Sequence, residues 1–397
     1  MVIKILISLL GYNYMSKTIL TVFGTRPEAI KMAPVINALN EEKSTFSCKV
    51  CITGQHREML APLLSFFKIQ PNYHLDLMEK NQSLSKITQN VLAQMQNILA
   101  SEKPDLVLVH GDTTTALSSA MAAFYNNIAI GHVEAGLRTF QINSPYPEEF
   151  NRQVISKISC LHFAPTEGAK ENLTREGVSE ERIYVTGNTV IDSLLATLQT
   201  IEDNPMLMRD IIYQINEMLP FNWQDNKFVL ITAHRRENFG SGFIKICKAI
   251  KTMALENNDK FFVYPVHLNP LVQGVVFEQL SGLKNVFLIP PVNYQSFILL
   301  LSKCYFVLTD SGGIQEEAPS LGKPVLVMRE TTERPEAVKS GSVRLVGTNI
   351  NDITSNIRSL FIDTDLYLKM SNAINPYGDG TSSTKIKNIL KEVNFAK

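Results

Sequence analysis

Residues 18–31 read TILTVFGTRPEAIK, an apolar run that ends in a glycine turn and continues into a helical pattern. The run is nearly continuous in apolar character, which is typical of a strand buried on both faces of a parallel sheet. Gly24 permits a tight turn, and Pro27 suits the first helical turn, where its missing N–H costs nothing. This strand–turn–helix unit predicts a parallel α/β fold.

The alternation of apolar runs and amphipathic stretches continues along the chain. In the first half, further strands are predicted at residues 48–53, 105–110, 128–133, 161–165 and 183–186. A second series is predicted at residues 228–232, 261–266, 286–289, 306–309 and 325–327. Right-handed crossovers then give doubly wound sheets. We therefore predict an α/β chain with two Rossmann-like domains and a cleft between them. The predicted domains span residues 17–187 and 188–375, and a helix at 380–397 packs back on the first.

Composition limits the classes of function. The 397 residues include 38 Lys and Arg against 38 Asp and Glu, and the zero net charge argues against a dedicated nucleic-acid or membrane-surface protein. No apolar run reaches the ~18 residues of a membrane span, and the run at residues 5–10 is weak as a signal peptide. Five scattered cysteines form no disulfide framework, and the C-x-x-C at 48–51 is more typical of a buried strand. We expect a cytoplasmic protein with no nucleic-acid or membrane partner.

Charged side chains follow the first strands, at the edge where open parallel sheets bind ligands. Arg26 and Lys31 lie at a helix N-terminus, a pattern that predicts either an anion site or a solvated basic turn. Asp112 and Glu134 end neighbouring strands, and Glu148 follows in a loop. Asp112 also occupies the place of a helix N-cap. Converging carboxylates are a common acid–base device, and we expect them to raise one another's pKa.

The second half contributes a histidine and a glycine-rich turn. His234 follows a predicted strand and is either a satisfied core histidine or a phosphate donor or proton carrier. Residues 309–317 read TDSGGIQEE, in which two glycines before a helix N-terminus favour phosphate, and Glu317 suits ribose hydroxyls. The alternative is a tight turn followed by a solvated acidic helix face. The chain has no G-x-G-x-x-G and no P-loop pattern, which argues against a dinucleotide cofactor and an NTPase.

Taken together, these motifs resemble the non-hydrolysing UDP-N-acetylglucosamine 2-epimerases. The matching stretches are GTRPEAIK at 24–31, TGQHR at 53–57, HGDT at 110–113, HVEAGLR at 132–138, AHRREN at 233–238, DSGGIQEEA at 310–318, TTERPE at 331–336 and NPYG at 375–378. They occur in order from about residue 18 to the C-terminus. The resemblance implies a glycosyltransferase-B-like fold, a cytoplasmic homodimer and no metal or nicotinamide cofactor.

The resemblance also implies a reaction, the reversible interconversion of UDP-GlcNAc and UDP-ManNAc. UDP leaves by anti elimination to give 2-acetamidoglucal, and it adds back with a proton delivered to the other face of C2. The product then feeds surface polysaccharides. Three alternatives stay open: a hydrolysing 2-epimerase that releases free ManNAc, a glycosyltransferase with an acceptor, and an inactive UDP-sugar sensor.

The resemblance implies roles for single positions. Catalytic roles fall on Asp112, Glu134, Glu148 and His234, and which carboxylate acts on which face of C2 is left open. Substrate contacts are implied at Arg26, Lys31, Phe297, Ser311, Gly312, Gly313, Glu317 and Arg334. A second, activating UDP-GlcNAc is implied beside Gln55, His56, Arg235 and His267.

Overall fold

The structure is a computed structural model that describes residues 16–54, 57–75, 77, 82–235 and 238–395. The chain divides into two compact units. Unit 1 comprises residues 1–189 together with 381–397, and unit 2 comprises residues 190–380. Among the described residues, no helix combines the length and the apolar character needed to cross a bilayer.

Unit 1 is built on a parallel seven-stranded sheet with the order β3-β2-β1-β4-β5-β6-β7. The strands are β1 (Lys17–Phe23), β2 (Phe46–Ile52), β3 (Tyr73–His74), β4 (Leu106–His110), β5 (Ala129–Val133), β6 (Leu161–Ala164) and β7 (Ile183–Val185). The helices between them are α1 (Arg26–Glu41), α2 (Arg57–Phe66), α3 (Leu84–Glu102), α4 (Thr114–Tyr125), α5 (Glu148–Ile158) and α6 (Glu167–Arg175). Helix α7 (Thr189–Asp203) starts at the last residue of this stretch and otherwise belongs to unit 2. Strands β4 and β5 are buried at every position, as expected for a parallel sheet covered on both faces.

The last helix of the chain, α16 (Ser382–Glu392), belongs to unit 1. Ile386 and Leu390 are fully buried in the same apolar cluster as the inner face of α1. The Lys17 ammonium donates to the carbonyls of Leu390 and Val393 at the end of α16. A lysine in this place satisfies the free carbonyls of the last helical turn and complements the helix dipole.

Unit 2 repeats the architecture with a parallel six-stranded sheet of order β10-β9-β8-β11-β12-β13. The strands are β8 (Phe228–Thr232), β9 (Phe261–Pro265), β10 (Val286–Ile289), β11 (Phe306–Thr309), β12 (Val325–Val327) and β13 (Val343–Leu345). The helices are α8 (Pro205–Asn216), α9 (Ser241–Glu256), α10 (Pro270–Leu280), α11 (Tyr294–Lys303), α12 (Ile314–Ser320), α13 (Pro335–Ser340), α14 (Ile350–Ile362) and α15 (Thr364–Ser371).

The strand orders locate a topological switch point in each sheet. In unit 1 the chain moves outward from β1 to β2 and β3 and then returns to place β4 on the other side of β1. In unit 2 it moves from β8 to β9 and β10 and then returns with β11 beside β8. Open α/β sheets bind ligands outside the carboxyl ends of the strands at such points. A ligand site is therefore expected in unit 1 at the loops after β1 and β4, and in unit 2 at the loops after β8 and β11.

Candidate functional site

The switch point of unit 1 is held together by one buried carboxylate, Glu28. Its Oε2 accepts hydrogen bonds from the backbone N–H groups of Gly24 (3.1 Å) and Thr25 (2.8 Å). Its Oε1 accepts a 2.7 Å hydrogen bond from the hydroxyl of Thr113, which begins α4 on the other side of the switch point. Glu28 therefore joins the loop that carries Arg26 to the loop that carries Asp112.

Asp112 is paired with an arginine that the sequence does not point to. Arg152 on α5 donates from Nε at 2.9 Å and reaches with Nη2 to 2.7 Å of the same Asp112 Oδ2. The prediction that Asp112 is an N-cap is wrong, because the hydroxyl of Thr113 caps α4 by accepting from the N–H of Ala116. The Asp112 carboxylate is held by Arg152 instead, and a quarter of the Asp112 side chain is exposed.

Glu134 lies just beyond β5 in a buried network. Lys31 of α1 and Asn188 both donate to its Oε2, and the Nε2 atom of His110 lies 3.7 Å from the same oxygen. Among the described residues, Oε1 of Glu134 accepts no hydrogen bond. Glu134 also has a φ of 63°, in the left-handed region, where a residue with a long side chain costs of order 1–3 kcal/mol. Such strain is typical of positions held for function.

The environment of Glu134 keeps it ionised. Burial acts to raise the pKa of this carboxyl, but the Lys31 ammonium and the His110 ring outweigh it, and the pKa lies well below the usual range. The expectation that clustered carboxylates raise one another's pKa is therefore wrong for Glu134. The sequence pattern reveals the acidic residues at the strand ends. It does not reveal that the fold places a cation such as Lys31 beside Glu134.

Glu148 begins α5 and is half-buried. Within the described part of the chain, its side chain forms no hydrogen bond or ion pair. The next residue, Glu149, is completely buried and accepts from the backbone N–H groups of Thr139 and Phe140 and from Arg152. Glu149 thus fixes both the loop before α5 and the arginine that holds Asp112.

The switch point of unit 2 has a buried carboxylate of its own, Asp310. It accepts hydrogen bonds from the backbone N–H groups of His234 (2.9 and 3.1 Å) and Arg235 (2.8 Å), and from the side-chain amide of Asn238. The loop after β8 is therefore anchored to the end of β11. The Nδ1 atom of His234 lies 4.0 Å from Oδ1 of the same aspartate.

The His234 ring is 40% exposed and stacks on His267, with centroids 5.0 Å apart and planes inclined by 12°. Partial burial lowers the pKa of His234, against the pull of Asp310, while His267 and Arg235 lower it further. A neutral, accessible imidazole results near neutral pH. This arrangement excludes the satisfied core histidine that the sequence left open.

The glycine-rich turn after β11 lies against an arginine. Arg334 packs so closely on Gly312 that a Cβ atom there would stand 3.0 Å from its Nη1. Arg334 is held by Glu316 at 2.8 Å and lies 3.7 Å from Glu333. Burial raises the pKa of Glu333, but Arg334 and Arg329 outweigh it and hold that pKa at about 2. The turn therefore offers backbone N–H groups beside a fixed positive charge, which suits an anion.

The remaining predicted positions are placed as follows. Arg26 is half-buried at the start of α1, Phe297 half-buried on α11, and Glu317 half-buried in the first turn of α12. Gln55 and His56 lie outside the described residues. In the described ranges, no group of three or more His, Cys, Asp and Glu side chains is arranged to hold a metal ion.

The structure adds residues to which the sequence assigned no role: Glu28, His110, Glu149, Arg152, Asn188 and Asp310. Glu28, His110 and Asp310 lie inside the motifs that match the family. The motifs therefore mark these residues, but they do not show which contacts the side chains make. Arg152 and Asn188 reach the site from the body of α5 and from the turn before α7, and spacing gives no hint of either contact.

Comparison with known proteins identifies one family. The family model described as UDP-N-acetylglucosamine 2-epimerase matches residues 37–391. The UDP-N-acetylglucosamine 2-epimerase of Campylobacter jejuni is 53% identical over 376 residues, covering 95% of this chain and 98% of its own. The enzyme of that name from Escherichia coli K12 is 52% identical over 373 residues, covering 94% of this chain and 98% of its own.

The crystal structure of UDP-GlcNAc 2-epimerase from Neisseria meningitidis bound to UDP-GlcNAc matches with a TM-score of 0.88 at 49% identity, covering 95% of this chain and 100% of that chain. The predicted α/β class with two glycosyltransferase-B-like Rossmann domains is confirmed.

Proposed function

Because this chain belongs to the UDP-N-acetylglucosamine 2-epimerase family, as its motifs predict, we propose that it interconverts UDP-GlcNAc and UDP-ManNAc without hydrolysis. In the proposed reaction the C1–O bond to UDP breaks, and the C2–H electron pair forms the C1=C2 double bond of 2-acetamidoglucal. UDP then adds back while a proton is delivered to the opposite face of C2. The C2–H bond is not acidic by itself, so the proton leaves as C1 gains oxocarbenium character.

The observation that carries this proposal is the buried, ionised Glu134. A base must be ionised before it can accept the C2 proton, and Lys31 keeps Glu134 in that form. Its Oε2 is occupied by Lys31 and Asn188, while Oε1 accepts no hydrogen bond among the described residues. Asp112 and Glu148 are the candidates for the proton transfer at the opposite face.

Unit 2 supplies groups suited to the departing UDP. Gly312 and Gly313 offer backbone N–H groups, and Arg334 and His234 offer side-chain donors. Ser311 offers its hydroxyl, because its own N–H donates to the hydroxyl of Thr309 at 2.9 Å. Stabilising a diphosphate as negative charge develops on it is electrostatic catalysis by preorganised donors. Glu317 and Phe297 are proposed for the ribose and the uracil, in keeping with the family motif.

The direct experiment is to incubate the protein with UDP-GlcNAc alone and to resolve the products by NMR. We expect UDP-ManNAc to accumulate with no free ManNAc. Free ManNAc together with UDP would identify a hydrolysing enzyme. Unchanged UDP-GlcNAc would identify a sensor or a transferase that lacks its acceptor.

We further propose that the protein is a homodimer that pairs through α3, α4 and α5 of unit 1. These helices line a groove of about 540 Å³ bordered by Leu84, Tyr146 and Phe150, all of them exposed. The last turn of α4 exposes Phe124 and Tyr125 by 53% and 70%. Large apolar side chains exposed on one surface of a protein are typical of an interface.

The dimer proposal is tested by light scattering after chromatography. Phe124→Glu/Tyr125→Glu should yield a monomer, because a second copy would have to bury two carboxylates. Ile362→Glu in unit 2, at a residue that is 81% exposed, is the matched control and should leave the mass unchanged. A double variant with the mass of the wild type would refute this interface.

Two smaller proposals follow from the same family. Stacking between His234 and exposed His267 gives a physical link through which a second UDP-GlcNAc at Arg235 and His267 could act on the first. A sigmoidal dependence of rate on UDP-GlcNAc that His267→Ala removes would support it. We also propose that the reaction serves surface-polysaccharide synthesis in the cytoplasm. Among the described residues the five cysteines form no disulfide, which fits a reducing compartment.

A further inference from the structure

A buried amide beside Glu134 lies outside the motifs that resemble the family. Asn188 is 2% exposed and donates from Nδ2 to Oε2 of Glu134 at 2.9 Å. Lys31 donates to the same oxygen and already supplies the positive charge that keeps Glu134 ionised. A neutral second donor adds no charge, so its contribution to Glu134 has to be a different one.

The turn between β7 and α7 fixes the place of Asn188. The N–H of Thr186 donates to the carbonyl of Ala164 at 2.9 Å, which extends the pairing of β6 with β7 by one residue. Gly187 follows with a φ of 90°, in the left-handed region that favours glycine. Thr189 then begins α7. Asn188 is therefore held between the edge of the sheet of unit 1 and the start of a helix.

The two donors on Oε2 determine which way the carboxylate of Glu134 faces. The last torsion of a glutamate side chain is loosely restrained by itself, and a lysine ammonium on its flexible stem restrains it weakly. The planar amide of Asn188 adds a directional donor from a second element. The other oxygen, Oε1, then lies towards Gly111, where a Cβ atom would stand 3.9 Å from it. Gly111 comes directly before Asp112.

We propose that Asn188 is a positioning residue that acts through Glu134, and that its side-chain amide orients the carboxylate so that Oε1 is the atom that accepts the C2 proton. Lys31 supplies the charge and Asn188 supplies the direction. Direction matters because a general base is efficient only when its accepting atom lies within hydrogen-bond reach of the proton and is aligned with it. The proposal rests on the proposed function, and its first test does not.

The competing explanation is that Asn188 serves only the start of α7, since it stands at the helix N-cap position before Thr189. Asn and Asp are nearly equivalent as N-caps. Beside Glu134 they differ, because an ionised aspartate cannot donate and brings a second negative charge. If the pair takes up a proton instead, Glu134 loses part of its capacity as a base. Asn188→Asp therefore separates the two explanations.

The first test follows the carboxyl carbon of Glu134 by NMR in the protein without substrate, with the signal assigned by its loss in Glu134→Gln. Asn188→Ala should shift this signal, because it removes one donor to Oε2. Asn172→Ala is the matched control, since the Asn172 amide on α6 donates at 3.0 Å to the carbonyl of Gly136 and should leave the signal in place. An unmoved signal in Asn188→Ala, or an equal shift in Asn172→Ala, would overturn the inference, whatever the protein catalyses.

The second test measures kcat and KM for UDP-GlcNAc together with thermal unfolding. Asn188→Ala should lower kcat by roughly 10–100-fold with KM within about threefold of the wild type, as expected for a misdirected base. Asn188→Asp should lower kcat at least as far while it keeps the stability of a capped helix, and Asn172→Ala should keep the wild-type kcat. Wild-type kcat in either Asn188 variant would refute the role of Asn188, and a wild type without turnover would refute the proposed function instead.

Discussion

The two switch points have the same architecture and different chemistry. In unit 1, Glu28 joins the loops after β1 and β4, and in unit 2, Asp310 joins the loops after β8 and β11. Both carboxylates are buried and both accept backbone N–H groups. Each sheet therefore has a buried carboxylate, here called a joint, that links two loops at the carboxyl ends of the strands. This shared feature does not by itself determine what binds or reacts there.

The difference lies in what surrounds each joint. Unit 1 places full charges in opposed pairs, Lys31 with Glu134 and Arg152 with Asp112. Unit 2 places a glycine-rich turn at a helix N-terminus beside Arg334 and the accessible imidazole of His234. Opposed charges keep acids and bases in defined protonation states, while amides and cations attract an anion. The comparison supports the proposal that unit 1 transfers the proton and that unit 2 binds the diphosphate.

The largest expected effect comes from removing the charge of Glu134. Glu134→Gln should lower kcat by roughly 10²–10⁴-fold, because the amide cannot accept a proton, while UDP binding by calorimetry stays within about threefold. Glu180→Gln, at a largely exposed carboxylate of the same unit, is the control and should behave as the wild type. A parallel loss of UDP affinity would show that Glu134 is a binding or structural group.

The next effect comes from neutralising, in separate variants, the buried carboxylate at each switch point, Asp310 in unit 2 and Glu28 in unit 1. Asp310→Asn should weaken UDP binding by roughly 10–100-fold, since hydrogen bonds to a charged group contribute about 1.5–3 kcal/mol. Glu28→Gln should lower kcat and leave UDP affinity nearly unchanged. If both variants lost UDP affinity equally, the proposal that unit 2 binds UDP while unit 1 transfers the proton would be wrong. Calorimetry and steady-state kinetics on both variants decide it.

A smaller effect concerns acid stability and comes from two buried histidines of unit 1, His132 and His162. Burial lowers the pKa of His132 to about 3 and that of His162 to about 4. The unfolded chain therefore binds more protons between those values and about 6.5, so these residues destabilise the fold as pH falls through that window. His132→Asn should reduce the slope of unfolding free energy against pH by about 1.4 kcal/mol per unit between pH 4 and 6. Urea unfolding at a series of pH values would measure this slope, and an unchanged slope in His132→Asn would contradict the assignment.

The smallest effect tests the close packing of the glycine turn in unit 2. Gly312→Ala would place a Cβ 3.0 Å from the guanidinium of Arg334, whereas at Gly313 a Cβ would meet no atom within 4 Å. Gly312→Ala should cost about 1 kcal/mol of unfolding free energy, and Gly313→Ala should change it by less than about 0.5 kcal/mol. Equal stabilities would show that Arg334 moves away freely.

The sequence predicts much of this molecule and misses specific parts for physical reasons. The apolar strands follow from their composition, but β3 has only two residues and β13 reads VRL, where an arginine interrupts the apolar run. Asp112 and Glu134 stand out because they follow strands. Their partners Arg152 and Lys31 lie 40 and 103 residues away from them along the chain, and only the fold brings them together.

The central claim, that unit 1 removes and returns the C2 proton, is tested most directly by isotope exchange. The wild type and Glu134→Gln are incubated with UDP-GlcNAc in D₂O, and deuterium at C2 is measured by NMR in the product and in the recovered substrate. We expect both nucleotide sugars to carry deuterium with the wild type, and Glu134→Gln to slow this labelling along with turnover. UDP-ManNAc formed without deuterium at C2, or labelling at the wild-type rate in Glu134→Gln, would contradict the account.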